Sequence, residues 1–184
     1  DYQLDCAYTS IASGGGIFAC PTGWGKTHII AAHVRAFAYE ELCARNTPIT
    51  VLTCKDQEIC RQNATKLAAI LPDRDVGLIM SGVRRHSQDI QVVTLDSLHH
   101  IDAKDVGVLI VDEVHEAATE KRSELISQMV NARRWGASAT PAGRFDGSDK
   151  LTEGLVGPVV YHRTYQQGVD DGALVPITVL WINV

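Results

Sequence analysis

The chain has 184 residues, 45% of them hydrophobic, with 17 Lys and Arg against 22 Asp and Glu and a formal net charge of −5. That is enough apolar material for one sizeable core and about one domain, while the acidic balance excludes a surface covered in basic residues, so any contact with a polyanion has to be local. The longest apolar runs are strand-length, too short for a membrane helix. The five cysteines contain no C-x-x-C pair, which argues against a zinc ribbon or disulfide framework and for reduced, buried thiols without a structural metal.

In chain order, Tyr2 to Ile11 is an amphipathic stretch, so the sequence opens within a helix. The apolar run Ile17 to Cys20, preceded by Gly14, Gly15 and Gly16, predicts a strand leading into Cys20-Pro21-Thr22-Gly23-Trp24-Gly25-Lys26-Thr27. Gly23 and Gly25 let the backbone turn tightly so that amide N–H groups face a β-phosphate, Lys26 reaches the β and γ oxygens, and the Thr27 hydroxyl can ligate Mg²⁺. Cys20 stands where the G-x-x-x-x-G-K-[ST] pattern has its first glycine. Lys26 to Arg45, with Ile29, Ile30, Ala32, His33, Ala36, Phe37 and Glu40 at helical spacing and no Gly or Pro, predicts the helix that must follow.

Further along, Ile49 to Cys54, Val76 to Met80, Gln91 to Leu95, Val106 to Val111 and Arg134 to Ala139 read as strands, with Asp56 to Leu71 and Lys121 to Ala132 as helices between them. Val106 to Val111 is almost continuously apolar, as expected of a parallel strand buried on both faces, and Asp112 and Glu113 stand at its carboxyl end, where open α/β sheets bind ligands. There Asp112 would hold Mg²⁺, through water, while Glu113 would orient or deprotonate the water that attacks a γ-phosphate. The alternation predicts an α/β fold, a mostly parallel sheet with helices on both faces. Residues 142–172 are richer in Gly and Asp and read as irregular connection, and Pro176 to Val184 as a strand-like end.

These residues resemble the superfamily 2 helicases and translocases, in particular their first RecA-like P-loop NTPase domain with a DExH-type second motif. Tyr2-Gln3 resembles the adenine-reading glutamine motif, residues 20–27 motif I, Val51 to Gln62 motif Ia, and Thr94 to Leu98 motif Ib. Asp112 to His115 resembles motif II, and Ser138-Ala139-Thr140-Pro141 motif III. The tail, with Ala142-Gly143-Arg144-Phe145-Asp146-Gly147, Gly157 to Tyr161 and Asp171 to Pro176, is similar to phage recombination helicases, excision-repair helicases and restriction translocases.

The resemblance implies nucleotide contacts at Gln3, Thr22, Gly23, Trp24, Gly25, Lys26 and Thr27, and Mg²⁺ at Thr27 and Asp112. It implies catalytic roles for Lys26, Asp112, Glu113 and His115, with His115 relaying between the γ-phosphate site and motif III. Ser138 and Thr140 would couple hydrolysis to the grip on nucleic acid. Lys55, Thr94 and Ser97 would lie near phosphates, although Cys54, Lys55 and Asp56 depart from the usual Pro, Thr or His of motif Ia; Arg84, Arg85 and His86 are second-tier candidates. The implied cofactors are ATP and Mg²⁺, and the implied partner is DNA, with RNA the alternative. Residues 1–175 would form the ATP-binding domain and 176–184 would begin the passage to a second RecA-like domain beyond the chain. Arginine fingers from such a domain are worth roughly 10³ to 10⁵ in rate, so these 184 residues alone are expected to bind nucleotide weakly and hydrolyse it poorly. The rival expectation is a nucleotide-gated binding or assembly module without productive turnover. Either would work inside a cell, in the cytoplasm of a bacterial or phage-infected cell or in a nucleus.

Overall fold

The computed structural model describes residues 2–42, 49–140 and 148–177. Eight strands among them form one sheet: β1 (Gly16–Ala19), β2 (Ile49–Cys54), β3 (Val76–Met80), β4 (Val83–Arg85), β5 (Ile90–Thr94), β6 (Val106–Asp112), β7 (Arg133–Ser138) and β8 (Val159–His162). Their order is β4-β3-β5-β2-β6-β7-β1-β8, and every pairing is parallel except the β3–β4 hairpin. The helices are α1 (Tyr2–Ala12), α2 (Lys26–Leu42), α3 (Gln57–Ile70), α4 (Glu120–Ser127), α5 (Ser148–Val156) and α6 (Tyr165–Asp170). None of the described helices is long and apolar enough to cross a membrane.

Consecutive strand residues point to opposite faces, and here both faces are covered. Phe18, Leu52, Val92 and Ile110 join one core with residues of α1, α2 and α3, while their neighbours Ile17, Val51, Val93 and Leu109 join a second core with Ile126 of α4 and Leu155 of α5. Continuous apolar strands are therefore the pattern this architecture demands. The order places β7 between β6 and β1, so the carboxyl ends of those three parallel strands lie side by side.

Three expectations are corrected. Residues 142–172 are not merely a connection, because α5, β8 and α6 lie within them. Two of their glycines mark turns: Gly157 and Gly172 have φ of +102° and +71°, values that favour a residue without a Cβ. Opposite β8, a Cβ on Gly16 would lie 2.6 Å from both Pro158 O and Val160 Cγ1, so only glycine lets the eighth strand close on β1. The helix expected over Lys121 to Ala132 ends at Ser127. There the Arg134 guanidinium donates to Ser127 O and Met129 O, taking up carbonyls that a further helical turn would have used. The strand expected to end at Leu95 ends at Thr94, and Leu95–His100 coils into a 3₁₀ turn. The last residues of the helix expected to reach Arg45, the Pro141 of the motif III run, Arg144 to Gly147, and residues 178–184 lie outside the described residues.

Candidate nucleotide site

The loop after β1 runs from Cys20 into the first turn of α2, whose N-terminal amides and dipole favour an anion. Gly23 and Gly25 both adopt positive φ, +86° and +85°, whereas among the described non-glycine residues only Glu113 does so. Cys20 thus has an ordinary backbone, which explains why the first glycine of the pattern is dispensable here. Its thiol packs 3.6 Å from Cys6 Sγ, and both are fully buried; the neighbouring thiol and burial push Cys6 far above its usual pKa. Together with Cys54 and Cys60 they are free thiols.

Trp24 is 1% exposed. Its ring lies 4.6 Å from that of Tyr2 and 6.1 Å from that of Tyr161, so the indole anchors the loop to the core and leaves only its backbone to face a ligand. Gln3 reaches the same place from α1: its Nε2 donates to Trp24 O at 3.1 Å, and a Cβ on Gly25 would collide with that amide nitrogen. Gly25→Ala should therefore cost about 1–2 kcal/mol from the left-handed backbone alone and displace Gln3 as well. Gly23→Ala carries the same strain, but its Cβ would meet only Leu174 Cδ2 at 3.4 Å. Urea denaturation of the two variants should show the Gly25 change to be the more damaging, and equal losses would remove Gln3 from the account.

Across from the loop, Lys26 Nζ is paired with Glu113 Oε1 at 3.1 Å. Glu113 holds a left-handed conformation, φ 49° and ψ 58°, at the junction of β6 with the 3₁₀ turn Val114–Ala117, a strain of order 1–3 kcal/mol of the kind found at functional sites. Val114 is seated on β7 opposite Gly136, where any Cβ would come within 2.9 Å of its side chain. This contact brings the following residue to motif III: His115 Nδ1 lies 3.4 Å from Ser138 Oγ and 3.6 Å from Glu113 Oε2. Ser138 Oγ also accepts from Thr140 N at 3.1 Å, and Ser138 O accepts from Cys20 N at 2.9 Å. The predicted catalytic and coupling residues are thus in mutual reach.

Asp112 Oδ1 accepts from Glu113 N at 3.1 Å. Its carboxyl is held above the usual carboxylate range by burial, against the opposing pull of Lys26. The residue that sequence reasoning missed is Asn63, which donates to Asp112 Oδ2 at 3.2 Å and accepts from Thr27 Oγ1 at 3.3 Å. The only signal for it was a polar residue at a position of α3 that faces the sheet.

The nucleic-acid candidates form a looser group. Lys55 and Thr94 follow and end the adjacent strands β2 and β5, but Lys55 is paired with Glu116 Oε1 at 2.6 Å. Thr94 is buried with its hydroxyl donated to Ser97 at 2.9 Å, leaving Ser97 the more accessible. The triplet Arg84-Arg85-His86 is divided by its strand: Arg84 pairs in register with Ile79 and contacts His100 at 3.2 Å, whereas Arg85 turns to the α3 face beside Arg61.

Fold and site together define a RecA-like P-loop domain, the first such domain of the superfamily 2 helicase type. The chain belongs to the family described as type III restriction enzyme, res subunit, whose profile matches residues 5–143. It is 31% identical over 171 residues to the DNA 3'-5' translocase XPB2 of Sulfurisphaera tokodaii, covering 91% of this chain and 36% of that protein. The chain thus spans about a third of the length of the curated relatives it matches. Among solved structures, the UvsW helicase from bacteriophage T4 superposes with a TM-score of 0.66 at 19% identity, over 86% of this chain and 58% of that one. The Pyrococcus furiosus Hef helicase domain does so with 0.69 at 16% identity, over 98% and 41%. At such identities these likenesses concern the fold.

Proposed function

We propose that this chain is the ATP-binding half of an ATP-dependent DNA helicase or translocase, in which nucleotide hydrolysis drives movement along a strand. The observation that carries the reading is the convergence of Lys26, Thr27, Asp112, Glu113 and His115 at the ends of β1 and β6, on a scaffold whose relative is named a DNA translocase. Intracellular work follows from such a substrate and agrees with the free thiols.

Lys26 and the amides of the Thr22 to Gly25 turn would hold the β- and γ-phosphates. Thr27 and Asp112 fit Mg²⁺: they offer a hydroxyl and a carboxylate, the hard oxygen donors that this ion prefers, and Asp112 is half-buried beside Thr27, linked to it through Asn63. When bound, Mg²⁺ neutralises charge developing on the phosphate oxygens. Glu113 would take the proton of the attacking water once a phosphate has drawn Lys26 away from it. His115, between Glu113 and Ser138, would pass the state of that site to the loop after β7. A second RecA-like domain would supply the arginine fingers and close on the DNA.

Lys26→Ala is the direct test. Loss of its charge-assisted hydrogen bonds should weaken ATP binding about 10- to 100-fold, read by titration with a fluorescent ATP analogue. An affinity within twofold of wild type would sink the phosphate assignment. At the DNA face, Glu116→Gln should free Lys55 and raise single-stranded DNA affinity by about two- to fivefold at low salt, an effect the size of one exposed ion pair. No change in fluorescence anisotropy would strike Lys55 from the contact set.

A further inference from the structure

Asn63 lies in the middle of α3, seven residues beyond Asp56, whose carboxylate caps that helix by accepting from Ile59 N at 2.9 Å. It is 6% exposed, and its carboxamide touches three separate segments. Oδ1 accepts from Thr27 Oγ1 at 3.3 Å, while Nδ2 lies 3.2 Å from Asp112 Oδ2 and 3.3 Å from Cys54 Sγ. We propose that Asn63 is a positioning residue for the divalent cation that accompanies the nucleotide, holding Thr27 and Asp112 as a ready pair of oxygen ligands. This rests on the nucleotide reading above.

A threonine hydroxyl has a single proton; by giving it to Asn63, Thr27 keeps its oxygen lone pairs for a cation. Asp112 has one oxygen on Glu113 N and the other on Asn63 Nδ2, so the carboxylate plane is set from both sides. An amide is suited to this post because it donates to one ligand and accepts from the other without carrying charge. A lysine there would compete with the cation, and an apolar residue would leave the Thr27 proton and an Asp112 oxygen without partners. Groups that orient metal ligands in this way typically contribute 10- to 100-fold to metal affinity.

The test is a binding measurement on the full chain. A fluorescent ADP analogue is titrated in EDTA and in Mg²⁺, and the Mg²⁺ concentration giving half of the cation-dependent tightening is determined. For Asn63→Leu, which keeps the branched four-atom shape of the side chain without its donor and acceptor, that concentration should rise about 10- to 100-fold, while affinity for the analogue in EDTA stays within about twofold. Asn63→Ser, a smaller change should the leucine variant not fold, carries the same expectation. An unchanged Mg²⁺ requirement in either variant overturns the proposal, as does an equal loss in EDTA and in Mg²⁺, which would mark Asn63 as merely structural. Wild type that binds the analogue in neither condition would overturn the nucleotide reading itself, an outcome distinct from a wild type that binds and a variant that behaves like it.

Discussion

Glu113→Gln is expected to lower DNA-dependent ATP turnover of the full-length protein by about 10²- to 10⁴-fold, the usual contribution of a general base, while leaving ATP binding intact. The glutamine keeps the shape of the side chain but cannot accept a proton from water. It also removes the negative charge that faces Lys26 at 3.1 Å, so the lysine no longer has to leave an ion pair before meeting a phosphate. Binding should therefore be equal to wild type or tighter. Single-turnover hydrolysis with labelled ATP separates the two quantities. Turnover within threefold of wild type would mean that Glu113 only neutralises Lys26, and would favour a nucleotide-gated binding module over a motor.

The second large effect concerns stability against pH and comes from His33. This residue is fully buried in α2, with Nδ1 donating to Ile29 O at 2.8 Å, Nε2 at 3.1 Å from Ser10 Oγ, and its ring between Phe18 and Trp135. Burial lowers its pKa from 6.5 to about 4, with the Ile29 bond opposing. Above pH 6.5 neither folded nor unfolded chain holds this proton, and stability is at its full value. Between pH 6.5 and about 4 the unfolded chain takes up a proton that the folded one refuses, so stability falls as pH falls, by about 3 kcal/mol over the window. Asp112 acts in the opposite sense, since its raised carboxyl is protonated first in the folded state, and restores some stability from that raised value down to pH 3.8. Urea unfolding at pH 7.5, 6.5, 5.5 and 4.5 should show the decline, and His33→Gln should flatten it. A midpoint that does not move between pH 7.5 and 5 would contradict a buried neutral His33.

Much of the site was legible because its chemistry is contiguous. Cys20 to Thr27 and Asp112 to His115 each carry several functional groups within a few residues, and the strands before them are apolar enough to be recognised. The residues that sit badly in a sequence reading are those whose meaning depends on a distant partner. Trp24 reads as a nucleotide contact by position, yet Tyr2 and Tyr161, 22 and 137 residues away, take its ring into the core. Asn63 reads as an ordinary helix residue until α3 is laid against β2 and β6. Arg84 and Arg85 read as one basic loop, although the pleat of β4 sends adjacent side chains to opposite faces.

The order of motifs and the alternation of apolar runs with amphipathic ones were enough to determine the α/β class and to point to the two ends of the candidate nucleotide site. Those features are local, set by the conformations glycine permits, by helix N-terminal amides and by burial of strands on both faces. Only the tertiary structure decided how the ends meet. It inserted β7 between β6 and β1, closed β8 on Gly16, and paired Lys26 with Glu113 and Lys55 with Glu116. It also placed the Asn63 amide between Thr27 and Asp112. The side-chain contacts among these join groups 36 to 87 residues apart in the chain, and their geometry is set by the packing of the sheet and its helices, which no short window of sequence contains.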